Sequence, residues 1–289
     1  MDRIIAATDL TRRSVHVLGR TARLARQLGA GIILLHAIAP PRAGVAHIAR
    51  KALNRKPDQA TQLQRLQALA CAHPDLDIDC RVIAASPEDA VAIVVAESGA
   101  GLLVAGLHRE RRVLDLLRLT TLERIVMRAR TPVLIAHRAP CADYARVLGS
   151  VTFSPTCARA LAVAARLAPG ASLHAIHALQ MPLREKLAAT EAEHTRTMTE
   201  AELLRTAFCA LPGLPPGLEP PEIIIGGVHE VLRFRIEELQ PDLLAIGTHS
   251  GRDPGVLGNY ARDLLRAPPT DVLMVKPSVA EAPGSDAVA

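Results

Sequence analysis

The chain has 289 residues, of which 49% are hydrophobic and 22% are charged, and its formal net charge is +5. This composition is typical of a folded globular protein and excludes an intrinsically disordered one. The longest apolar runs, such as GIILLHAIA and GLLVAGL, are too short to span a bilayer, which argues against a membrane protein. The basic side chains are mostly arginines spread along the chain. With three Phe, two Tyr and no Trp there is little to stack on bases, so nucleic acid is not expected as a partner.

Short apolar runs alternate with helical patterns in the first half of the chain. The first predicted helix has Leu18, Ala22, Ala25 and Leu28 along one face and ends at Gly29, a residue typical of helix C-termini. The pattern predicts strands at 3–8, 31–38, 78–85, 101–107 and 132–137, and helices at 12–29, 45–72, 87–98 and 120–130.

The second half of the chain repeats the first. The run GIILLHAIAPP recurs as ASLHAIHALQMP, GAGLLVAGLHR recurs as LQPDLLAIGTHS, and TPVLIAHR recurs as TDVLMVKP. His36 and His177, like Gly106 and Gly247, are 141 positions apart. Three separate matches in the same order predict two copies of one unit. We place the domains at 1–140 and 141–277, followed by a disordered tail at 278–289.

Apolar strands that alternate with helices predict a parallel sheet covered on both faces. We therefore expect two tandem α/β domains, each a doubly wound sheet of five strands. In such sheets ligands bind at the carboxyl ends of the strands, where the strand order reverses. The loops after the first and fourth strands of each copy are thus the candidate binding loops.

The loop after the fourth strand of the second copy reads GTHSGRDPGVLGN (247–259). Its glycines would let the backbone approach a phosphate, and Asn259 would cap the following helix, whose positive end faces an anion. An ordinary glycine-rich loop before a capped helix explains the same residues, because glycine motifs alone are weak signals.

The two-copy chain resembles a tandem universal stress protein. The family has an aspartate after strand one, as in VDFS, and G-x2-G-x9-G-[ST] after strand four, leading into a helix that often reads ERVL. Asp9 in AATDLT, the run IGTHSG, and LTTLERIVMRARTPVLIA resemble these elements. The resemblance covers residues 1–277. It implies Rossmann-like units of the adenine nucleotide alpha hydrolase type, packed as a pseudo-dimer through the last strands, PVLIAHR and DVLMVKP. Some members bind ATP and others do not, and a homodimer is a further expectation.

The first copy keeps Asp9 but departs from the family's glycine pattern. Gly106 is followed by Arg109 where the second glycine is expected, and Leu119 replaces the third, with Thr120 after it. Thr120 and Glu123 form a capping-box pattern, so the helix start is expected to persist for structural reasons. The resemblance therefore implies a degenerate site at Asp9, Gly106 and Thr120.

The second copy keeps more of the glycines but lacks the aspartate. Thr152 stands in the aspartate position, Ser250 replaces the second glycine, and the loop is two residues shorter than the family spacing. ATP is thus the one cofactor suggested, in a partial site of the second copy. Its candidate residues are Thr152, Gly247, His249, Ser250, Gly251, Gly258 and Asn259.

Other side chains are less informative. His174 and His177 lie three apart on a strand and so point to opposite faces, which disfavours a metal site. Five cysteines without a C-x-x-C pair disfavour a disulfide framework or a zinc site.

His108 and His249 follow the fourth strands, and HRERRVLDLLR (108–118) could hold a different anion, although a solvated loop explains it equally well. The sequence contains no G-x-S-x-G elbow and no cluster of carboxylates, so no motif in it indicates a catalytic site.

The leading interpretation is a non-enzymatic, cytoplasmic protein of stress response or regulation with a degenerate ATP site. The cytoplasmic expectation rests on the start, MDRIIAATDL, which enters a strand without a leader pattern. One alternative is an adenine-nucleotide enzyme with weak hydrolytic or transfer activity, for which Asp253 and His249 are the local candidates. Another is a binding module for an apolar or anionic ligand, with VAHIARKALNRKPDQATQLQRLQALA and LREKLAATEAEHTRTMTEAELLRTAF as lids.

Overall fold

The fold comes from a computed structural model that describes residues 1–11, 14–39, 58–107, 119–137, 139–181, 191–248 and 257–277, with only the backbone for 191–194. Within these residues the chain forms two compact units, Met1–Cys141 and Ala142–Ala289. The predicted tail at 278–289 lies outside the described residues.

Unit 1, Met1–Cys141, is a five-stranded parallel sheet with helices between the strands. The strand order is β3-β2-β1-β4-β5, so the direction of winding reverses between β1 and β4. The strands are β1 (Arg3–Ala7), β2 (Gly31–Ala37), β3 (Ile78–Ile83), β4 (Leu102–Gly106) and β5 (Val133–Ala136). The helices are α1 (Val15–Leu28), α2 (Gln59–Ala70), α3 (Pro87–Ser98) and α4 (Thr121–Arg128).

Unit 2, Ala142–Ala289, repeats this topology with the order β8-β7-β6-β9-β10, and all its strand pairs are parallel. Its strands are β6 (Arg146–Ser150), β7 (Ser172–Leu179), β8 (Glu222–Ile225), β9 (Leu243–Gly247) and β10 (Asp271–Val275). Its helices are α5 (Pro155–Leu167), α6 (Glu191–Cys209), α7 (Val228–Leu239) and α8 (Asn259–Arg266). Two doubly wound α/β domains, as predicted, are confirmed.

The core of each unit consists of the apolar strand runs, which are buried on both faces. In unit 1 all four residues of β5 and the first four of β4 are buried, and β10 is buried throughout in unit 2. Helix α1 packs its buried face on β1, β2 and β4, and ends where Gly29 adopts a left-handed conformation at φ 63°. Buried strands of this kind explain why apolar runs, rather than alternating ones, marked the sheet in the sequence.

Two histidines show that the units are equivalent position by position. The Nδ1 of His36 donates to the carbonyl oxygen of Thr8 at 2.9 Å, and that of His177 donates to the carbonyl oxygen of Val151 at 2.9 Å. The second residue after each carbonyl, Leu10 or Phe153, has a positive φ of 59° or 58°. Thr8 therefore corresponds to Val151, and Asp9 corresponds to Thr152.

His177 is expected to make unit 2 sensitive to acid. Burial lowers the pKa of His177 below its usual value, although the hydrogen bond to Val151 opposes this shift. The unfolded chain therefore binds a proton at higher pH than the fold does. The contribution of His177 to the free energy of unfolding is complete above the unfolded pKa and is lost as pH falls below about 6.5.

Urea unfolding at pH 7.5 and pH 5.5 tests this expectation. The loss of stability on acidification should be smaller in His177→Gln than in the wild-type protein. His174→Gln is the matched control, because His174 lies on the same strand but is exposed. An equal loss of stability in His177→Gln and in wild type would show that His177 does not carry the effect.

Candidate functional site

The carboxyl ends of β1 and β4 in unit 1 border a cavity of about 190 Å³. It lies at the position where the strand order reverses, which is where ligands bind in doubly wound sheets. The residues that line it are Ala7, Thr8, Asp9, Ser14, Leu35, His36, Ala37, Pro87, Val91, Ala105, Gly106, Leu107, Thr121, Leu122 and Ile125. The described part of unit 1 thus contains a partly open cavity at the expected edge of its sheet.

The space exists because the strand ends carry small side chains. Ala7 of β1 and Ala105 of β4 are paired neighbours in the sheet, so two methyl groups stand side by side where larger residues would fill the gap. Leu122 and Ile125 of α4 contribute apolar side chains to the cavity lining. An apolar cavity of about 150 Å³ admits benzene, so this one is large enough for a planar ring.

Polar groups are gathered at the β1 side of the cavity. The Oδ1 of Asp9 accepts hydrogen bonds from the backbone N–H of Thr11 at 2.9 Å and from its hydroxyl at 2.7 Å. The hydroxyls of Thr8 and Ser14 lie 2.7 Å apart, and Thr8 Oγ1 accepts from the N–H of Leu10. These bonds hold an exposed carboxylate beside an apolar cavity, which suits a ligand with a ring and hydroxyl groups.

Helix α4 begins beside the cavity with the predicted capping box. The Thr120 hydroxyl accepts from the N–H of Glu123, and the Glu123 carboxylate accepts from the N–H of Thr120. The Glu123 side chain is buried, and Leu119, directly before the cap, is 38% exposed. The capping box therefore gives Thr120 a structural role. Leu119 places a side chain where the pattern G-x2-G-x9-G-[ST] has its third glycine.

The equivalent positions of unit 2 carry larger side chains. The pair Ser150 and Ile246 stands at the register of Ala7 and Ala105, and Ile246 is buried. Tyr260, the second residue of α8, stands where α4 has Leu122, and burial raises the pKa of its phenol. Thr152, at the position of Asp9, hydrogen-bonds to Ser154 and to the Cys157 sulfur. Unit 2 thus carries larger side chains than unit 1 at three of the positions that line the cavity.

The sequence predicted the edge of the sheet at which the cavity lies, but it did not indicate that unit 1 would contain the cavity. The glycines after β9 favoured the second copy as the binding site. The two alanines that leave room for the cavity of unit 1, Ala7 and Ala105, belong to no recognised motif. A signal was present, since Ala7 and Ala105 lie at the carboxyl ends of two apolar runs, and the equivalent residues of the repeat are the larger Ser150 and Ile246. Pro87 and Val91 of α3 also line the cavity and lie outside the motifs.

The comparison with protein families agrees with the repeat. The model described as "Universal stress protein family" matches residues 1–137 and again residues 143–276. The chain belongs to the universal stress protein family. With one family match in each unit it is a tandem, two-domain member, as predicted. No curated protein sequence is significantly similar to it.

Solved structures show the same two-unit fold. A protein of unknown function from Pseudomonas aeruginosa PAO1 is 17% identical with a TM-score of 0.65, and the match covers 96% of this chain and 93% of that one. A universal stress protein from Archaeoglobus fulgidus DSM 4304 is 19% identical with a TM-score of 0.60, covering 95% and 98%. At these identities the similarity establishes the fold of this universal stress protein.

The glycines that end β4 and β9 have packing reasons in this universal stress protein. A Cβ at Gly247 would lie 2.9 Å from the backbone nitrogen of Cys157 and 3.0 Å from the carbonyl carbon of Thr156. A Cβ at Gly106 would lie 2.9 Å from Val17 Cγ2. Both glycines let the first helix of their unit, α1 or α5, lie close to the sheet, so close approach to a phosphate is not needed to explain them.

Gly258 differs from those two glycines. Its φ of −60° suits any residue, and a Cβ there would meet no atom within 4 Å among the described residues. The predicted cap at Asn259 is wrong: Gly258 is the N-cap and Asn259 is the first helical residue, with no side-chain cap bond. The helix begins one residue earlier than a cap at Asn259 implies, which is within the usual uncertainty of helix ends.

The remaining predicted site residues, His249, Ser250 and Gly251, lie outside the described residues, as do His108, Arg109 and Asp253. Within the described ranges, no group of three or more His, Cys, Asp or Glu residues is arranged to hold a metal ion. None of the described helices is both long and apolar enough to cross a membrane.

Gly247→Ala and Gly258→Ala separate packing from other roles. We expect Gly247→Ala to lower the free energy of unfolding by about 1–3 kcal/mol, because its Cβ would collide with backbone atoms that cannot rotate away. Gly258→Ala should cost less than about 1 kcal/mol. Gly106→Ala should fall between them, since the Val17 side chain can move. Equal losses at Gly247 and Gly258 in urea unfolding would contradict the packing role.

Proposed function

We propose that this universal stress protein is a non-enzymatic stress-response or regulatory protein that binds a nucleoside or nucleotide in the cavity of unit 1. The observation that carries the proposal is the apolar cavity at the carboxyl ends of β1 and β4 with Asp9 at its edge. A planar base would enter the cavity, and the Asp9 carboxylate would accept a hydrogen bond from a sugar hydroxyl.

The proposed fit follows from size and polarity. The cavity of about 190 Å³ has mostly apolar walls, which favours a flat ring over a charged group. Asp9 is held by its bonds to Thr11, so its carboxylate would not need to become ordered when the ligand binds. A ligand that places its ring inside and its hydroxyls outside would satisfy both features.

The phosphates of a nucleotide are expected to contribute little in unit 1. Leu119 stands directly before the cap of α4, at the position of a glycine in the family pattern. A leucine there keeps a ligand's phosphate away from the N-terminus of the helix. We therefore expect adenosine, AMP and ATP to bind unit 1 with affinities within about tenfold of one another, which corresponds to about 1.4 kcal/mol.

A second candidate is ATP binding by unit 2, as the sequence favoured. It is supported by the start of α8, where Gly258 leaves space and the first turn has neither a side-chain cap bond nor an acidic residue. Such a helix end favours an anion. Against it stand Ile246 and Tyr260, whose bulk at the base position leaves mainly the phosphates to supply the affinity.

Enzymatic turnover is the remaining alternative, with weak hydrolysis or transfer on ATP. Its local candidates, Asp253 and His249, lie outside the described residues, and the described ones carry no metal-binding group of three. Phosphate release measured during an ATP titration would separate this alternative from binding alone.

Calorimetric titration with adenosine, AMP and ATP with magnesium tests the two sites. Ala105→Ile places in unit 1 the side chain that unit 2 has at the same register, and fills the cavity. If unit 1 binds, this change should weaken adenosine and ATP binding by at least about tenfold, or about 1.4 kcal/mol. Gly258→Leu should leave that binding unchanged.

Two matched controls accompany these variants. Ile246→Val changes the equivalent position of unit 2, and Gly170→Leu places a leucine at an open glycine between α5 and β7. Binding that survives Ala105→Ile but is lost in Gly258→Leu would assign the ligand to unit 2. An absence of saturable binding below millimolar concentration for all three ligands would refute the proposal for both units.

A further inference from the structure

Arg124 of α4 forms a set of bonds that we call the Arg124 bridge, made with Glu88, Leu119 and Thr121. Its Nε lies 3.0 Å from Glu88 Oε1, which belongs to α3. One Nη donates to the carbonyl oxygen of Leu119 at 2.9 Å, and the other donates to the Thr121 hydroxyl at 3.1 Å. One guanidinium thus ties α3 to α4 and also to the segment that leads into α4.

The Arg124 bridge lies directly beside the cavity of unit 1. Pro87, the neighbour of Glu88, lines the cavity, and so do Thr121 and Ile125 on either side of Arg124 along α4. The two helices that the bridge joins therefore both contribute side chains to the cavity lining. A change in their separation would alter the space between those side chains.

A second ion pair joins the same helices without reaching the cavity edge. Arg128 Nη2 lies 2.9 Å from Asp89 Oδ1, and these side chains are 60% and 43% exposed. The Arg124 and Glu88 side chains are only 29% and 17% exposed. Because solvent screens an exposed pair more strongly, the bridge is expected to hold the helices more firmly than the outer pair does.

Removal of Arg124 is expected to destabilise the fold, because the Glu88 carboxylate would lose its charged partner. Its second oxygen, Oε2, is buried and has no hydrogen-bond partner among the described residues. Removing Arg124 would leave a partly buried carboxylate unpaired, whereas removing the charge of Glu88 leaves a guanidinium with two other acceptors. Glu88→Gln is therefore the cleaner change.

Unit 2 is built differently at this place. Glu88 is the second residue of α3, and the second residue of α7 is His229. His229 contacts the edge of the Tyr260 ring at 5.0 Å between centroids, and its Nε2 lies 3.7 Å from Asp263. The acidic residue at this position thus occurs in the unit with the cavity, and the histidine packed on tyrosine occurs in the unit with larger side chains at the equivalent positions.

We propose that the Arg124–Glu88 pair is a positioning element that sets the ligand affinity of the unit 1 cavity. It holds α3 and α4 at the separation that admits a planar ring, and it fixes Thr121, which lines the cavity, and Leu119, which leads into α4. The inference rests on the proposed ligand site of unit 1. It adds that affinity depends on a pair that need not touch the ligand.

Glu88→Gln tests the pair, with Arg128→Gln as the matched control that breaks only the outer pair. Glu88→Gln should weaken adenosine binding about tenfold, or about 1.4 kcal/mol, and Arg128→Gln should change it less than about twofold. Glu88→Asp, which keeps the charge, should recover part of the loss. Thermal unfolding of each variant shows whether lost affinity only follows lost stability.

Amide hydrogen exchange without ligand supplies a second readout. Glu88→Gln should speed exchange in the peptide that covers 119–122, and Arg128→Gln should leave it near the wild-type rate. If wild-type protein binds adenosine and Glu88→Gln behaves like Arg128→Gln in both assays, the inference is overturned. If wild type binds nothing, the proposed function fails, and equal exchange in the two variants would also refute the bridge as an ordering element.

Discussion

The parallel pairing of β1 with both β2 and β4 is the constraint on which the rest of unit 1 depends. It places the carboxyl ends of β1 and β4 side by side and sends the chain in opposite directions from them. Helices that leave such strands diverge, and a space opens between them. Because the small residues Ala7 and Ala105 are paired near these strand ends, the space remains open as a cavity rather than being filled by the sheet's own side chains.

The two units show how one backbone plan can carry different sites. Both keep the histidine bond to the first strand, the left-handed residue that follows, and a glycine where the fourth strand meets the first helix. These shared features serve the fold. The units differ at side chains that face the binding edge, where Ile246 and Tyr260 replace Ala105 and Leu122. In our account the first copy keeps space for a base, and the second copy keeps an open helix end.

Local signals in the sequence predicted the fold well. Apolar runs marked the strands of unit 1, and the capping box of Thr120 and Glu123 formed as expected. The cavity could not be predicted in this way. Ala7 and Ala105 are far apart in the sequence and meet only through strand pairing. Moreover, the sequence does not distinguish a glycine that lies close to a bound phosphate from one that lies close to a helix. Gly247 is of the second kind.

The central claim is that the ligand site lies in unit 1 at the ends of β1 and β4. A crystal structure of the protein grown with adenosine tests it most directly. The account predicts density for a planar base between Ala105 and Leu122, with a sugar hydroxyl in hydrogen-bond distance of the Asp9 carboxylate. Density at the start of α8 beside Gly258, with the unit 1 cavity empty, would contradict it.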